Sequence, residues 1–87
     1  MDMEWTVYIL QSKKSKIHYS GMTQNLERRL KEHNSGRSKF TQRHMPWDVI
    51  YTEKYTTKEE ARKRELYFKT SAGRRFIERV VGSPSDR

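Results

Sequence analysis

The chain contains no cysteine, only two prolines and four glycines, and an apolar share of 32% that falls below its charged share of 34%. Without cysteine there is neither a disulfide scaffold nor a thiolate zinc site; the composition suits a reducing compartment, so a cytoplasmic setting is expected. No apolar run approaches the roughly 18 residues that a membrane-spanning helix needs. The start, Met1-Asp2-Met3-Glu4-Trp5, is acidic and lacks the apolar segment of a secretion signal. Acid is also scarce: 11 Asp and Glu stand against 19 Lys and Arg, a formal charge of +8 over 87 residues. That balance points to a polyanionic partner, most often nucleic acid, although a membrane surface or ribosomal RNA explains the charge equally well. The length fits one small domain, read as residues 1–82, with 83–87 as a frayed, flexible tail. What the chain does have is five Tyr, three Phe and two Trp, with its apolar residues gathered in blocks rather than scattered. A disordered chain lacks that pattern.

Residues 4–11 are β-branched and aromatic and predict a strand. Alternation puts Trp5, Val7 and Ile9 on one face and Thr6, Tyr8 and Leu10 on the other, so the strand is expected to be covered on both sides. A polar turn, 12–16, leads to a second strand from Ile17 to Met22, where Gly21 marks a close approach or a bulge. Thr23 or Asn25 caps a helix running to about Asn34, with Gly36 as its stop. Residues 35–46 read as a basic loop, followed by a strand from Trp47 to Tyr55. Thr57 and Glu60 form a capping box that opens a helix to about Thr70, and a last helix spans about 72–81 up to Gly82. The expected fold is α/β (α+β): a three-stranded antiparallel sheet with flanking helices in the order ββαβαα.

Several polar residues fall on faces that periodicity assigns to the core. In the first helix Arg29 and His33 share the stripe of Leu26 and Leu30, while Arg28, Lys31 and Glu32 point away. Either they meet an anion or acceptor, or Arg29 lays its stem over the core and His33 caps the helix end. In the later helix Glu65 lies amid Ala61, Phe68 and Ala72, and calls for a cation: a structural partner such as Arg29, or a bound metal. Tyr8 and Tyr19 stand on adjacent strands; Tyr51 and Tyr55 read as packing residues without special neighbours. Phe40 and Trp47 read as core, with stacking on an unpaired base as the alternative.

The segment Thr6-Val7-Tyr8, followed eleven residues after Tyr8 by Tyr19-Ser20-Gly21, resembles the paired signature of the GIY-YIG nuclease superfamily. The likeness continues with Arg29 and His33 in Asn25–Asn34 and with Glu65 in Glu60–Lys69, and covers about Trp5 to Ser71. It is similar to small stand-alone bacterial members and to the nuclease domain of the excinuclease C repair subunit. The sequence departs at Thr6, Val7 and Ser20. The Asn that many members place after the Glu has no match either, since Lys69, Thr70 and Ser71 occupy that region.

The resemblance implies a metal-dependent endonuclease that hydrolyses phosphodiester bonds, with DNA ahead of RNA, little sequence specificity and a role in repair or recombination. It implies Tyr8 as the acceptor of the water's proton, Arg29 lowering its pKa and stabilising charge on phosphorus, and Tyr19 positioning water or phosphate. His33 is implied as a supporting or phosphate-contacting residue, and Glu65 as the ligand of one Mg²⁺ or Mn²⁺. Lys13, Lys14, Lys16, Arg37, Lys39 and Arg43 are expected to track a nucleic-acid backbone, unless they only serve solubility. No membrane partner is expected; a monomer or weak dimer is, with a protein partner for targeting. The competing readings are a catalytically weak nucleic-acid-binding module of the same fold, and an RNA- or protein-binding adaptor in which Arg29 and Glu65 form a buried ion pair.

Overall fold

The computed structural model describes residues 4–81, so Gly82, the tail at 83–87 and the outer limits of the expected domain lie outside the described residues. The elements are β1 (Trp5–Ser12), β2 (His18–Thr23), α1 (Leu26–His33), α2 (Lys39–Arg43), β3 (Trp47–Tyr55), α3 (Lys58–Tyr67) and α4 (Ser71–Val81). This is the expected order with one addition, α2, inside the segment read as a loop. Thr41 of that short helix is buried, and the Trp47 indole N–H donates to its carbonyl at 2.8 Å. That contact reaches back six residues from β3, and helical periodicity does not report it.

The sheet order is β2-β1-β3, antiparallel throughout. The central β1 is therefore covered on both faces, as its two-sided apolar pattern predicts. Val7 and Ile9 pack with Ala61 and Phe68 of α3 and Ile77 of α4. Tyr8 and Leu10 pack with Trp47, against Leu26 and Leu30 of α1. Two thin cores back to back are how a chain this poor in apolar residues buries enough surface, at about 2 kcal/mol per large side chain. Opposed residues share a face, so Tyr19, paired with Leu10, stands on the same face as Tyr8.

Local chemistry sets the helix ends. Asn25, not Thr23, caps α1, accepting from the Arg28 N–H at 3.0 Å. Past the helix end, Asn34 brackets the Trp47 backbone, accepting its N–H at 2.7 Å and donating to its carbonyl at 3.3 Å. Thr57 caps α3 and its hydroxyl donates to Glu60 at 3.1 Å. α3 stops at Tyr67, earlier than expected, because the Thr70 hydroxyl accepts the Gly73 N–H at 3.1 Å and starts α4. The turn is tight: a Cβ at Gly73 would lie 2.1 Å from the Tyr67 carbonyl oxygen. Ala72, expected on the buried face of α3, is thereby carried into α4 and exposed. Among the described residues no helix is long and apolar enough to cross a membrane.

Candidate active site

Tyr8 sits opposite Gly21 across the β1–β2 ladder, and its ring lies over the glycine. A Cβ at position 21 would stand 2.5 Å from the Tyr8 hydroxyl and 2.7 Å from its Cζ. Gly21 thus marks a close approach, not a bulge, and it lets the phenol lean toward the β2 edge of the sheet. There the Tyr8 hydroxyl meets His33 Nε2 at 3.0 Å in a buried hydrogen bond, and the Tyr19 ring stands edge-on to His33 at 4.9 Å. His33 neither caps the helix end nor reaches an exposed phosphate position; it is enclosed behind the two tyrosines. Among the described residues its Nδ1 has no partner, and Tyr8 is the one that holds the imidazole by hydrogen bonding.

Burial dominates the electrostatics of this pair. It pushes the Tyr8 phenol up to about 12, with the hydrogen bond and charge of Arg29 opposing and the nearby Tyr19 and Glu65 adding to the rise. The expected lowering by Arg29 is outweighed, because taking a phenolate out of water costs more than that guanidinium returns. Burial, followed by the charge of Arg29, pulls His33 down to about 4. At neutral pH the unliganded site therefore holds a neutral phenol against a neutral imidazole.

Tyr8, Tyr19, Arg29 and Glu65 line one cleft of about 750 Å³, together with Gly21, Trp5, Met22, Lys58, Glu59, Arg62 and Lys63. Arg29 and Glu65 do not pair with each other, so the buried ion pair of the adaptor reading is absent. Arg29 Nη1 donates to Glu32 at 2.8 Å, which turns Glu32, expected to face away, into a half-buried partner. Glu65 accepts from Arg62 Nη1 at 3.2 Å and from Lys69 Nζ at 3.3 Å.

The Glu65 side chain is only 9% exposed, whereas those of Arg62 and Lys69 are 60% and 50% exposed. Such helical pairs are worth a few tenths of a kcal/mol each and yield readily to a stronger cation. A hard carboxylate edging a cleft of this size suits Mg²⁺ or Mn²⁺, whose remaining ligands are ordinarily water and phosphate oxygens. Among the described residues no group of three or more His, Cys, Asp or Glu clusters as a metal cage.

None of Lys13, Lys14, Lys16, Arg37, Lys39 and Arg43 lines the cleft. Their two loops do adjoin one another. The Lys13 N–H donates to the Pro46 carbonyl at 2.9 Å, and the Ser12 hydroxyl donates to the His44 carbonyl at 2.6 Å. Lys13 is also engaged by Asp48 at 3.6 Å. The cations at the cleft besides Arg29 are Lys58, Arg62 and Lys63, none of them among the expected site residues. A signal for two of them was present: Lys58, Arg62 and Glu65 recur every three to four residues and so share one stripe of α3.

Tyr51 and Tyr55, expected to lack special neighbours, instead donate to the two oxygens of Glu53 at 2.5 and 2.7 Å. Arg64 closes this second cluster with a two-pronged contact to Glu53 at 2.8 and 3.1 Å. Its guanidinium also lies 4.7–4.9 Å from the ring centres of Tyr67, Phe68 and Phe76.

Two tyrosines, an arginine and a glutamate thus line one cleft of a small α+β domain built on a three-stranded antiparallel sheet. The family profile of the GIY-YIG catalytic domain matches residues 4–76, and the chain belongs to this nuclease family. Its members act on nucleic acid and generally depend on a divalent metal. The chain is 44% identical over 64 residues to a UPF0213 protein of Clostridium perfringens, covering 72% of this chain and 68% of that one. A UPF0213 protein of Bacillus licheniformis is 41% identical over 63 residues, covering 71% of this chain and 64%, just under two thirds, of its own length. The solution NMR structure of a UPF0213 protein from Bacillus halodurans superposes with a TM-score of 0.57 at 31% identity, covering 97% of this chain and 92% of that one.

Proposed function

We propose that the chain is a metal-dependent endonuclease that hydrolyses phosphodiester bonds, of DNA ahead of RNA, with little sequence specificity. One observation carries this reading: Tyr8, Tyr19, Arg29 and Glu65 edge the same cleft, with the Tyr8 ring seated against Gly21. A water in the cleft attacks phosphorus in line with the 3′-oxygen; the P–O3′ bond breaks, and the departing oxygen takes a proton from solvent, leaving a 3′-hydroxyl and a 5′-phosphate. The water's proton passes to the Tyr8 oxygen as the phenol's own proton passes to His33 Nε2, 3.0 Å away.

With the phenol near 12 and the imidazole near 4, that relay is poorly matched in the free protein. Bound phosphate raises the proton affinity of His33. Glu65 would hold a divalent cation, whose positive charge would lower the pKa of nearby acids and offset charge on the departing oxygen. Tyr19 orients water or phosphate, and Arg29 stabilises the charge that develops on the phosphorane oxygens. Pairing of Glu65 with Arg62 and Lys69 favours a second reading, a catalytically weak binding module, because a neutralised carboxylate attracts a cation less.

The test incubates plasmid, single-stranded and branched DNA with the purified chain, with and without Mn²⁺. Metal-dependent nicking that disappears in Arg29→Ala and Glu65→Ala, with DNA binding kept in the latter, supports the nuclease. Cleavage that survives both changes removes the site assignment, and binding without cleavage on every substrate selects the second reading.

A further inference from the structure

Phe40 reads as a core residue from sequence, yet it is 49% exposed, and it is the one exposed aromatic among the described large hydrophobic residues. The reason lies in α2. Thr41 faces inward, with its carbonyl held by the Trp47 indole at 2.8 Å, so its neighbour Phe40 is turned outward. The exposed ring is not loose. It rests on Tyr19 at 6.0 Å, on His44 at 5.3 Å and on Trp47 at 6.4 Å with planes 31° apart. Trp47 and Tyr19 are themselves 6.2 Å apart, so the tilted rings form one shelf on which Phe40 is the exposed member. Tyr19 lines the cleft, so the shelf continues directly from the candidate active site. On the same short helix Lys39 and Arg43 are exposed, and among the described residues neither takes part in an ion pair.

We infer that Phe40 is the stacking platform for an unpaired nucleobase next to the phosphate held at Tyr19, with Lys39 and Arg43 gripping the flanking backbone. This rests on the nucleic-acid reading of the cleft and narrows its substrate to strands with an unpaired base there, such as a single strand, flap or frayed end. A flat apolar ring fixed from behind and rimmed by cations matches the two surfaces of a nucleotide, π face and phosphate. A base inside a duplex is already stacked on both faces and offers no face to the ring.

The experiment measures fluorescence-anisotropy affinities of the full chain and its variants in EDTA. The ligands are four labelled oligonucleotides: single-stranded DNA, single-stranded RNA, the blunt DNA duplex, and an abasic DNA strand that keeps the phosphates but lacks bases. Phe40→Ala should weaken single-stranded DNA about tenfold and leave the duplex and abasic strands unchanged, while Phe40→Trp restores binding. The RNA arm shows whether the platform accepts ribose as well as deoxyribose; an equal loss there extends the inference to RNA. Unchanged single-strand affinity in Phe40→Ala overturns the platform, as does an equal loss on the duplex and abasic strands. Metal-dependent cleavage is scored separately. Cleavage with no Phe40 effect removes the platform alone, and a base-dependent Phe40 effect without cleavage removes the nuclease alone.

Discussion

The protein contains the same set of side chains twice, two Tyr, one Arg and one Glu: Tyr8, Tyr19, Arg29 and Glu65 at the cleft, and Tyr51, Tyr55, Arg64 and Glu53 between β3 and α3. The second set is closed. Both Glu53 oxygens accept from a phenol and from Arg64. Burial pushes Glu53 up, but these hydrogen bonds together outweigh it and hold the carboxyl below its usual range. The first set is open. Its arginine and glutamate pair with residues three or four positions along the chain, and the buried His33 beside it keeps a nitrogen without a partner among the described residues. Residue type does not separate scaffold from chemistry here. What separates them is whether each polar atom finds its partner inside the cluster or faces a cleft.

The largest contrast should come from the phenols. Tyr8→Phe is expected to lower the nicking rate on the order of 10³-fold by removing the proton relay. Tyr55→Phe should leave the rate unchanged and cost about 1.5 kcal/mol in urea unfolding, the loss of one hydrogen bond to a carboxylate.

The histidine separates the sets by pH. His33 has a folded pKa near 4 against about 6.5 when free, so the folded state binds fewer protons than the unfolded one. The stability it contributes is present above about pH 6.5 and is lost as pH falls through 4. This amounts to about 3 kcal/mol in pH-dependent urea melts. His33→Asn should lack that segment of the pH profile. Identical profiles for the two proteins would show that His33 is not held neutral.

Glu53→Gln should destabilise the fold by about 2 kcal/mol in thermal or urea unfolding, because it leaves the partly buried Arg64 without its carboxylate. A loss below a few tenths would mean that the closed set does not hold β3 to α3. The smallest effect lies outside both sets. Lys16 adopts a left-handed backbone, φ 67°, in the β1–β2 turn. Lys16→Gly should stabilise the fold by about 1 kcal/mol in the same assay.

Much of this molecule is legible in its sequence. β3 begins and ends at the residues its pattern predicts, and the two-sided apolar run of β1 announces a central strand. The burial of His33 and Glu65 follows from helical periodicity alone. Partners that lie on another element are not legible. The helix α2 depends on one indole donor reached from β3, so its own residues read as loop. That helix also turns Phe40 outward against its apolar character. The closed cluster was hidden for a related reason. Tyr51, Glu53 and Tyr55 alternate on one face of β3, but only Arg64, eleven residues further on, makes them a unit. The sign of the Tyr8 shift depended on depth of burial, which no spacing reports.

The central claim is that the open cluster performs chemistry and the closed one does not. The most direct test compares Mn²⁺-dependent plasmid nicking by Glu65→Gln and Glu53→Gln in one assay, at a temperature where circular dichroism shows both variants folded. The expected result is a rate near that of the unaltered chain for Glu53→Gln and a loss on the order of 10³-fold for Glu65→Gln. Equal rates in the two variants, or a loss confined to Glu53→Gln, would contradict it.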